Sequence, residues 1–412
     1  MCLLLKRIPV NIDETKRNPK SYFYQEETHF HTDMRILYYM PFKSLGHSTP
    51  SGDLVIGTEL HDFLTQRGHQ LDVASRLRTR WIFLKPWLWS RFFTQRARAI
   101  RLAQRKRAHL WMTYHTYYKS PDILGPSSCR RLKIPYVIFQ GIYATKIRRR
   151  LKTLPGFILN RRALVSADFV FANKKIDYTN LLRIVPPDRL QYVRPGIIPR
   201  EFFFDENARK EIRGRWGVQK VPVVMAAAMF RPGVKTRGLV RVINACGNLY
   251  RQGIKLYLVL AGDGQNREYL EALADDCLRG NVRFLGKIPR RQLYRFYSAA
   301  DVFAFPGIEE SLGMAYLEAQ SCGLPAVALN DWGAKEAIVH NRTGLLSGEN
   351  DRGGFERNIA RLIQNPSVRI KMGKAAAAHV AQYHDLEKNY TAVETVLHQL
   401  AGQKHLDNTK NT

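Results

Sequence analysis

EESLGMAYLEAQSCGLP (residues 309–325) decides how the chain is read. It follows the short apolar run DVFAFPG (301–307), and its last residue opens a second such run, PAVALND (325–331). Between the runs a helix is expected to open at Gly313, with Ser311 as N-cap and Cys322 and Gly323 as the stop. Strand, loop, helix and strand in that order make a parallel α/β unit. A helix that begins beyond the carboxyl end of a strand offers free N–H groups and the positive end of its dipole, which suits a diphosphate. Glu310, in the loop, can hold a sugar hydroxyl, and Glu318, about two turns in, can accept from a ribose diol. A glutamate pair is ordinarily a solvated helix surface, and only the surrounding pattern argues for more.

That pattern extends in both directions. RILYYMPF (35–42), LVIGTELHDFLTQRG (54–68) and HQLDVAS (69–75) read as strand, helix and strand, followed by the buried-strand candidates AHLWMTYH, IPYVIFQG and ADFVFAN. RLQYVRPGIIPREFFFDE (189–206) interrupts the alternation at Pro195, Gly196 and Pro199 and reads as a junction. The alternation restarts with PVVMAAAMF, LYLVLAGDG, VRFLGKI, DVFAFPG and PAVALND, with helices between them, and a last helical stretch is expected over about 355–401. The expectation is an α/β chain of two Rossmann-like domains with mostly parallel sheets, covering 34–197 and 198–385, followed by a helix and tail over 386–412. Residues 1–33 lack the apolar core of a signal peptide and are expected to be a disordered extension or a start placed too early.

The 65 Lys and Arg against 35 Asp and Glu, a formal charge of +30, call for an anionic partner without choosing one. The excess is concentrated in the first domain, where Asp122 is the only acid between Asp72 and Asp168. Five scattered cysteines without CxxC spacing exclude a zinc cluster of the usual kind and read as small buried hydrophobes in a reducing compartment. No apolar run is long enough to span a bilayer.

Taken together, the Glu310–Glu318 spacing, the strands around it and the glycine-led turn at Gly333 before Glu336 resemble the E-x7-E region of retaining nucleotide-sugar glycosyltransferases of the GT-B fold, family 4 type. The resemblance runs from 34 to about 400 and is strongest over 220–346. It implies two Rossmann-like domains facing across a cleft. In MAAAMFRPGVKTRG (225–238) it implies a basic pair on the donor diphosphate, Arg231 with either Lys235 or Arg237. Arg237 fits the family's spacing before a glycine, and Lys235 fits its residue type. Fixed cations of this kind stabilise a departing nucleoside diphosphate, and the chain has no D-x-D triplet to hold a metal, so neither metal nor cofactor is expected. Gly262 and Gly264 are expected to turn the chain at the cleft, Lys287 and Ile288 to line the base, and Leu312, Gly313 and Met314 to present amides to the phosphates. Gly52, in STPSGD, stands where the family has a glycine pair. Gln140 stands where the family often has a histidine, and His115, ending the preceding strand, is the nearest histidine able to reach the cleft.

These resemblances imply a hexosyltransferase acting on a nucleotide-sugar donor and a saccharide acceptor, lipid-linked as in cell-envelope polysaccharide or lipopolysaccharide biosynthesis. The alternative is a non-catalytic nucleotide-sugar-binding protein on the same fold, and an epimerase or phosphorylase is a more distant one. RWIFLKPWLWSRFF (80–93) interleaves aromatic rings with cations, as an anionic membrane surface attracts them. The expected location is therefore cytoplasmic, peripheral on the inner face of the cell membrane through residues 76–107. Rings and cations also suit nucleic acid, but no RNA- or DNA-binding motif accompanies them, and no nucleic-acid partner is expected. The plainer alternative is a helix whose aromatics face the core.

Overall fold

The computed structural model describes residues 33–47, 52–309, 312–331, 333–348, 350–351 and 353–410, the last seven by backbone alone. The extension expected over 1–33 lies, apart from Asp33, outside the described residues, as do Ser311 and Glu310.

Two parallel six-stranded sheets organise the chain. The first holds β1 (Arg35–Tyr39), β2 (Gln70–Ser75), β3 (Leu110–Thr116), β4 (Tyr136–Gly141), β5 (Phe169–Ala172) and β6 (Leu190–Tyr192), in the order β2-β1-β3-β4-β5-β6. The second holds β7 (Val223–Ala227), β8 (Tyr257–Ala261), β9 (Val282–Gly286), β10 (Val302–Ala304), β11 (Ala326–Leu329) and β12 (Gly344–Ser347), in the order β12-β11-β10-β7-β8-β9. The strands are almost wholly apolar because helices cover both faces. Strand order reverses beside β1 and β3 in one sheet and beside β7 and β10 in the other, and the loops beyond those carboxyl ends are where doubly wound sheets bind ligands.

Three differences from the sequence reading have plain causes. RLQYV, read as junction, supplies the edge strand β6, whose three residues are too few to show a period. The final helical stretch is three helices, Gly354–Gln364, Pro366–Tyr383 and Leu386–Lys410, because Pro366 opens a new first turn and Asp385 lies between the last two. The helix expected from Gly333 to Val339 is a single turn, Ala334–Ala337.

The last helix returns to the first domain. Leu386, Tyr390, Val393 and Leu397 are buried in one cluster with Ile36, Tyr38 and Phe63, each contributing about 1.5–3 kcal/mol of burial. Glu394 on that helix accepts from Arg67 Nε at 3.1 Å and meets His69 Nε2 at 2.9 Å. His69 Nδ1 accepts the Met34 N–H, which places the ring proton on Nε2, facing Glu394. Cys129, Cys246, Cys277 and Cys322 are free and buried, as their spacing suggests. No helix among the described residues is long and apolar enough to cross a membrane.

Candidate active site

On the first domain the site grows from the carboxyl ends of β3 and β4. Tyr114 pairs with Phe139 and Thr116 with Gly141, but His115 and Gln140 between them both turn left-handed, each at φ 62°. That conformation is costly for residues with a Cβ, of order 1–3 kcal/mol, and persists only where its surroundings hold it. Both side chains meet Asp53, the second residue of the helix Gly52–Gln66. Asp53 Oδ1 lies 3.4 Å from His115 Nδ1 and accepts from Gln140 Nε2 at 3.4 Å. Burial pushes the Asp53 carboxyl up, but His115, Lys174 and Gln140 outweigh it and bring it down to about 2. At 3.4 Å, His115 Nδ1 touches the carboxylate without hydrogen-bond geometry. His115 is buried, stacked on Phe42 at 5.8 Å and met edge-on by Tyr117 at 5.0 Å. Gln140 Oε1 and, beyond β5, Asn173 Oδ1 are buried without a hydrogen-bond partner, so polar groups accumulate where the strands end.

On the second domain, Arg231 is exposed at the end of the loop from β7, and Lys235 is in the first turn of the helix Val234–Arg251. Lys235 Nζ sits 5.4 Å from the Phe305 ring, beside the loop that leaves β10. Arg237 is exposed, and Gly238 after it packs where a Cβ would come within 2.9 Å of Phe305. The two candidates are thus separated: Lys235 lies against Phe305, while Arg237 is exposed to solvent. Thr236 Oγ1 donates to the Arg231 carbonyl at 2.7 Å and accepts from Asn266 at 2.9 Å, tying this turn to the next loop. Arg231 also acts on the opposite domain. Lys43 is pushed down chiefly by burial, and although Asp53 opposes this, Arg231, Arg78 and Arg80 add to it.

Gly262 is required: its φ is 144°, and a Cβ there would meet the Ala228 carbonyl oxygen at 1.8 Å. Gly264, at φ 152°, passes the Phe230 carbonyl as closely as a Cβ would allow only at 2.8 Å. Lys287 is exposed and Ile288 half-buried beyond β9. Gly52 opens its helix with open space around it.

The helix of the opening stretch is Met314–Ser321, capped by Gly313 at φ 69° and ended at Cys322, with Gly323 at φ 79°. Gly313 caps the helix without a side chain, and a Cβ there would lie 2.7 Å from the Gly333 carbonyl. Leu312 is buried in the first domain's core cluster and Met314 packs against both clusters, so the amino end of this helix lies where the two domains meet.

Glu318 is not the open carboxylate expected of it. Its Oε1 accepts from Arg290 Nε at 2.8 Å and its Oε2 from Tyr297 at 3.3 Å, and burial raises it despite Arg290. Arg290 also donates to Glu59 of the first domain at 2.6 Å and covers the Phe202 ring at 5.1 Å. A second bridge joins the domains through Glu336, which accepts from the Lys175 N–H and from Tyr192 Oη, both at 2.7 Å. Sequence reading missed Asp53, Lys43, Glu59 and Arg290. Asp53 carried a usable signal, an acid directly after Gly52 at a helix start, whereas the others become neighbours only through folding.

Comparison with known proteins joins this geometry to a family. Residues 219–379 match the family model described as glycosyl transferases group 1. The matched stretch takes in all six strands of the second sheet. That stretch includes Arg231, Lys235, Gly262, Gly264, Gly313 and Glu318. A GDP-mannose-dependent alpha-(1-6)-phosphatidylinositol monomannoside mannosyltransferase of Mycobacterium tuberculosis is 31% identical over 198 residues, 46% of this chain and 51% of that protein. A D-inositol 3-phosphate glycosyltransferase of Corynebacterium jeikeium is 34% identical over 138 residues, 33% of this chain and 32% of that protein. The chain thus spans about half the length of the first of these relatives and less of the second. The fold of the Anabaena protein Alr3699/HepE, crystallised with UDP, matches with a TM-score of 0.69 at 17% identity, covering 89% of this chain and 100% of that one. WaaG, a glycosyltransferase involved in lipopolysaccharide biosynthesis, matches with a TM-score of 0.63 at 17% identity, covering 87% and 99%. These structures carry the fold, and the two facing sheets are of the GT-B type.

Proposed function

We propose that the chain is a retaining, metal-independent glycosyltransferase of hexosyltransferase type, moving a sugar from a nucleotide-diphosphate sugar to a saccharide acceptor, lipid-linked and belonging to cell-envelope polysaccharide or lipopolysaccharide synthesis. The observation that carries this reading is the convergence on one cleft of a polar triad, Asp53, His115 and Gln140, with Arg231, Lys235 and a helix amino end. Arg231 and Lys235 take the charge of the leaving diphosphate, with the amides of Leu312 to Met314 completing the clamp, and Glu310 holds the transferred sugar. The carboxylate of Glu318, held by Arg290 and Tyr297, is the group assigned to the ribose. An oxocarbenium-like transition state on one sugar face needs little from a protein nucleophile. Gln140, already fixed on Asp53, can orient a sugar hydroxyl in place of a histidine.

Peripheral attachment to the inner face of a membrane through residues 76–107 is part of the same proposal. Its support is the exposure of Trp87 (69%) and Phe93 (64%) beside the exposed Arg91 and Arg98, while Phe92 packs inward.

Transfer and donor hydrolysis measured with a panel of nucleotide sugars test the reading. Arg231→Ala and Lys235→Ala are each expected to lower kcat by about 10²–10³, Arg237→Ala by far less, and Glu310→Ala to abolish most transfer. Unchanged turnover in Arg231→Ala and Glu310→Ala refutes the assignment. Donor binding without turnover in the unaltered protein establishes the binding-protein alternative instead.

A further inference from the structure

A pocket of about 870 Å³ opens on the first domain, between the segment 76–88 and the helix Trp89–Lys106. Arg76, Arg78, Arg80, Lys85, Arg91 and Arg98 line it, Trp81 adds an aromatic wall, and no acidic side chain lines it. Two nearby acids are engaged elsewhere. Asp72 is engaged by Lys106 at 3.5 Å, and Asp122 is buried, where Thr113 and the Tyr136 hydroxyl hold it. Among the described residues none of the six cations has an ion-pair partner. So many like charges around one concavity concentrate positive potential there, and a planar guanidinium fork matches phosphate oxygens two at a time.

The pocket lies beside the cleft, with Phe42 between them. Arg78 Nε donates to the Phe42 carbonyl at 3.2 Å, and the Arg80 guanidinium lies 5.8 Å from the Phe42 ring. The other neighbour of that ring is His115, stacked at 5.8 Å, which in turn meets Asp53. One aromatic ring therefore separates the basic pocket from the polar triad at the ends of β3 and β4.

We propose that this pocket holds the phosphate of a phosphorylated saccharide acceptor, with Arg78 and Arg80 at its inner end placing the attached sugar past Phe42 toward His115 and Asp53. The word acceptor rests on the glycosyl-transfer reading, whereas the phosphate-ester site rests on the pocket itself. A soluble sugar phosphate and a lipid headgroup share this chemistry, and the exposed Trp87 and Phe93 next to the pocket would meet the surface that carries a headgroup.

The test is calorimetric titration of the full chain with glucose 6-phosphate, inorganic phosphate and glucose, alongside sedimentation with vesicles of phosphatidylglycerol in phosphatidylcholine or of phosphatidylcholine alone. The pocket variant is Arg91→Glu/Arg98→Glu. Its control is Arg101→Glu/Arg105→Glu, exposed on the same helix outside the pocket and equal in charge change. Thermal unfolding confirms that both are folded. Saturable binding of glucose 6-phosphate but not glucose, weakened roughly tenfold or more in the pocket variant alone, supports a soluble phosphate ester. Binding confined to phosphatidylglycerol vesicles, lost in the pocket variant and kept in the control, supports a headgroup. Equal losses in both variants, or phosphate binding that the pocket variant retains, overturn the site. Hydrolysis of nucleotide sugars by the unaltered protein is measured on the same preparation, so failure of the transfer reading is distinguished from failure of the pocket.

Discussion

Arg290 stands between two carboxylates that the fold has taken out of water, and replacing it with methionine exposes what that arrangement costs. Glu59 and Glu318 have side chains 13% and 9% exposed, and Arg290 is itself only 30% exposed. Burial is the largest influence on each acid and raises both, with Arg290 the chief opposing one. Arg290→Met keeps the apolar contact with Phe202 but leaves two buried acids facing each other. Breaking a buried pair in this way costs about 3–5 kcal/mol when the orphaned charge stays ionised. For acids raised on folding, the folded state holds the proton more tightly, so stability falls as pH rises from the unfolded value through the folded one. The penalty is therefore largest at about pH 8 and shrinks by about 1.4 kcal/mol per pH unit for each carboxylate that takes up a proton as the pH is lowered. In thermal unfolding followed by circular dichroism, the variant should lose roughly 5–10 °C at about pH 8 and much less at about pH 5. Glu59→Gln/Arg290→Met/Glu318→Gln should recover most of the loss, because it removes both charges. A loss below about 1 kcal/mol, or one that does not change with pH, refutes the claim that Arg290 neutralises a buried interdomain site.

Three further outcomes follow from the geometry. Gly262→Ala brings a Cβ to within 1.8 Å of the Ala228 carbonyl at φ 144° and should cost more than about 3 kcal/mol. Gly214→Ala, in open space within the helix Glu206–Trp216, should gain about 0.5–1 kcal/mol, both read from urea midpoints. Asp53 is held down to about 2, so its contribution is present above the unfolded value and lost as pH falls through the folded one. Asp53→Asn should cost about 2 kcal/mol at about pH 6 and far less near pH 2, measured by urea denaturation.

The strands were readable because a parallel sheet covered on both faces demands continuous apolar runs, and MRILYYM, YVIFQG, VVMAA and LYLVLAG supply them. The helix start at Gly313 and stop at Gly323 were equally readable, since both need a left-handed backbone that glycine supplies. Short strands were not: β6 and β12 have too few residues to show a period. Within the site, His115 and Gln140 could be nominated from their places at strand ends, but not their shared left-handed turn. That turn arises because two neighbouring strands end at the same ladder position, and Asp53 reaches both from a different part of the chain.

By itself, the sequence determined two parallel α/β halves, a glycine-led helix between two strands of the second, and a positive charge gathered on the first domain, all from local periodicity, turn chemistry and composition. Tertiary structure alone decided which charges meet. Arg290 lies 231 positions from Glu59 and 28 from Glu318, yet it joins them across the cleft. Lys235 rather than Arg237 turns toward Phe305, and six cations from the segment 76–98 close around one pocket. Contacts of that kind depend on how two sheets are set against each other, and the forces that set them are summed over hundreds of buried atoms that no short motif records.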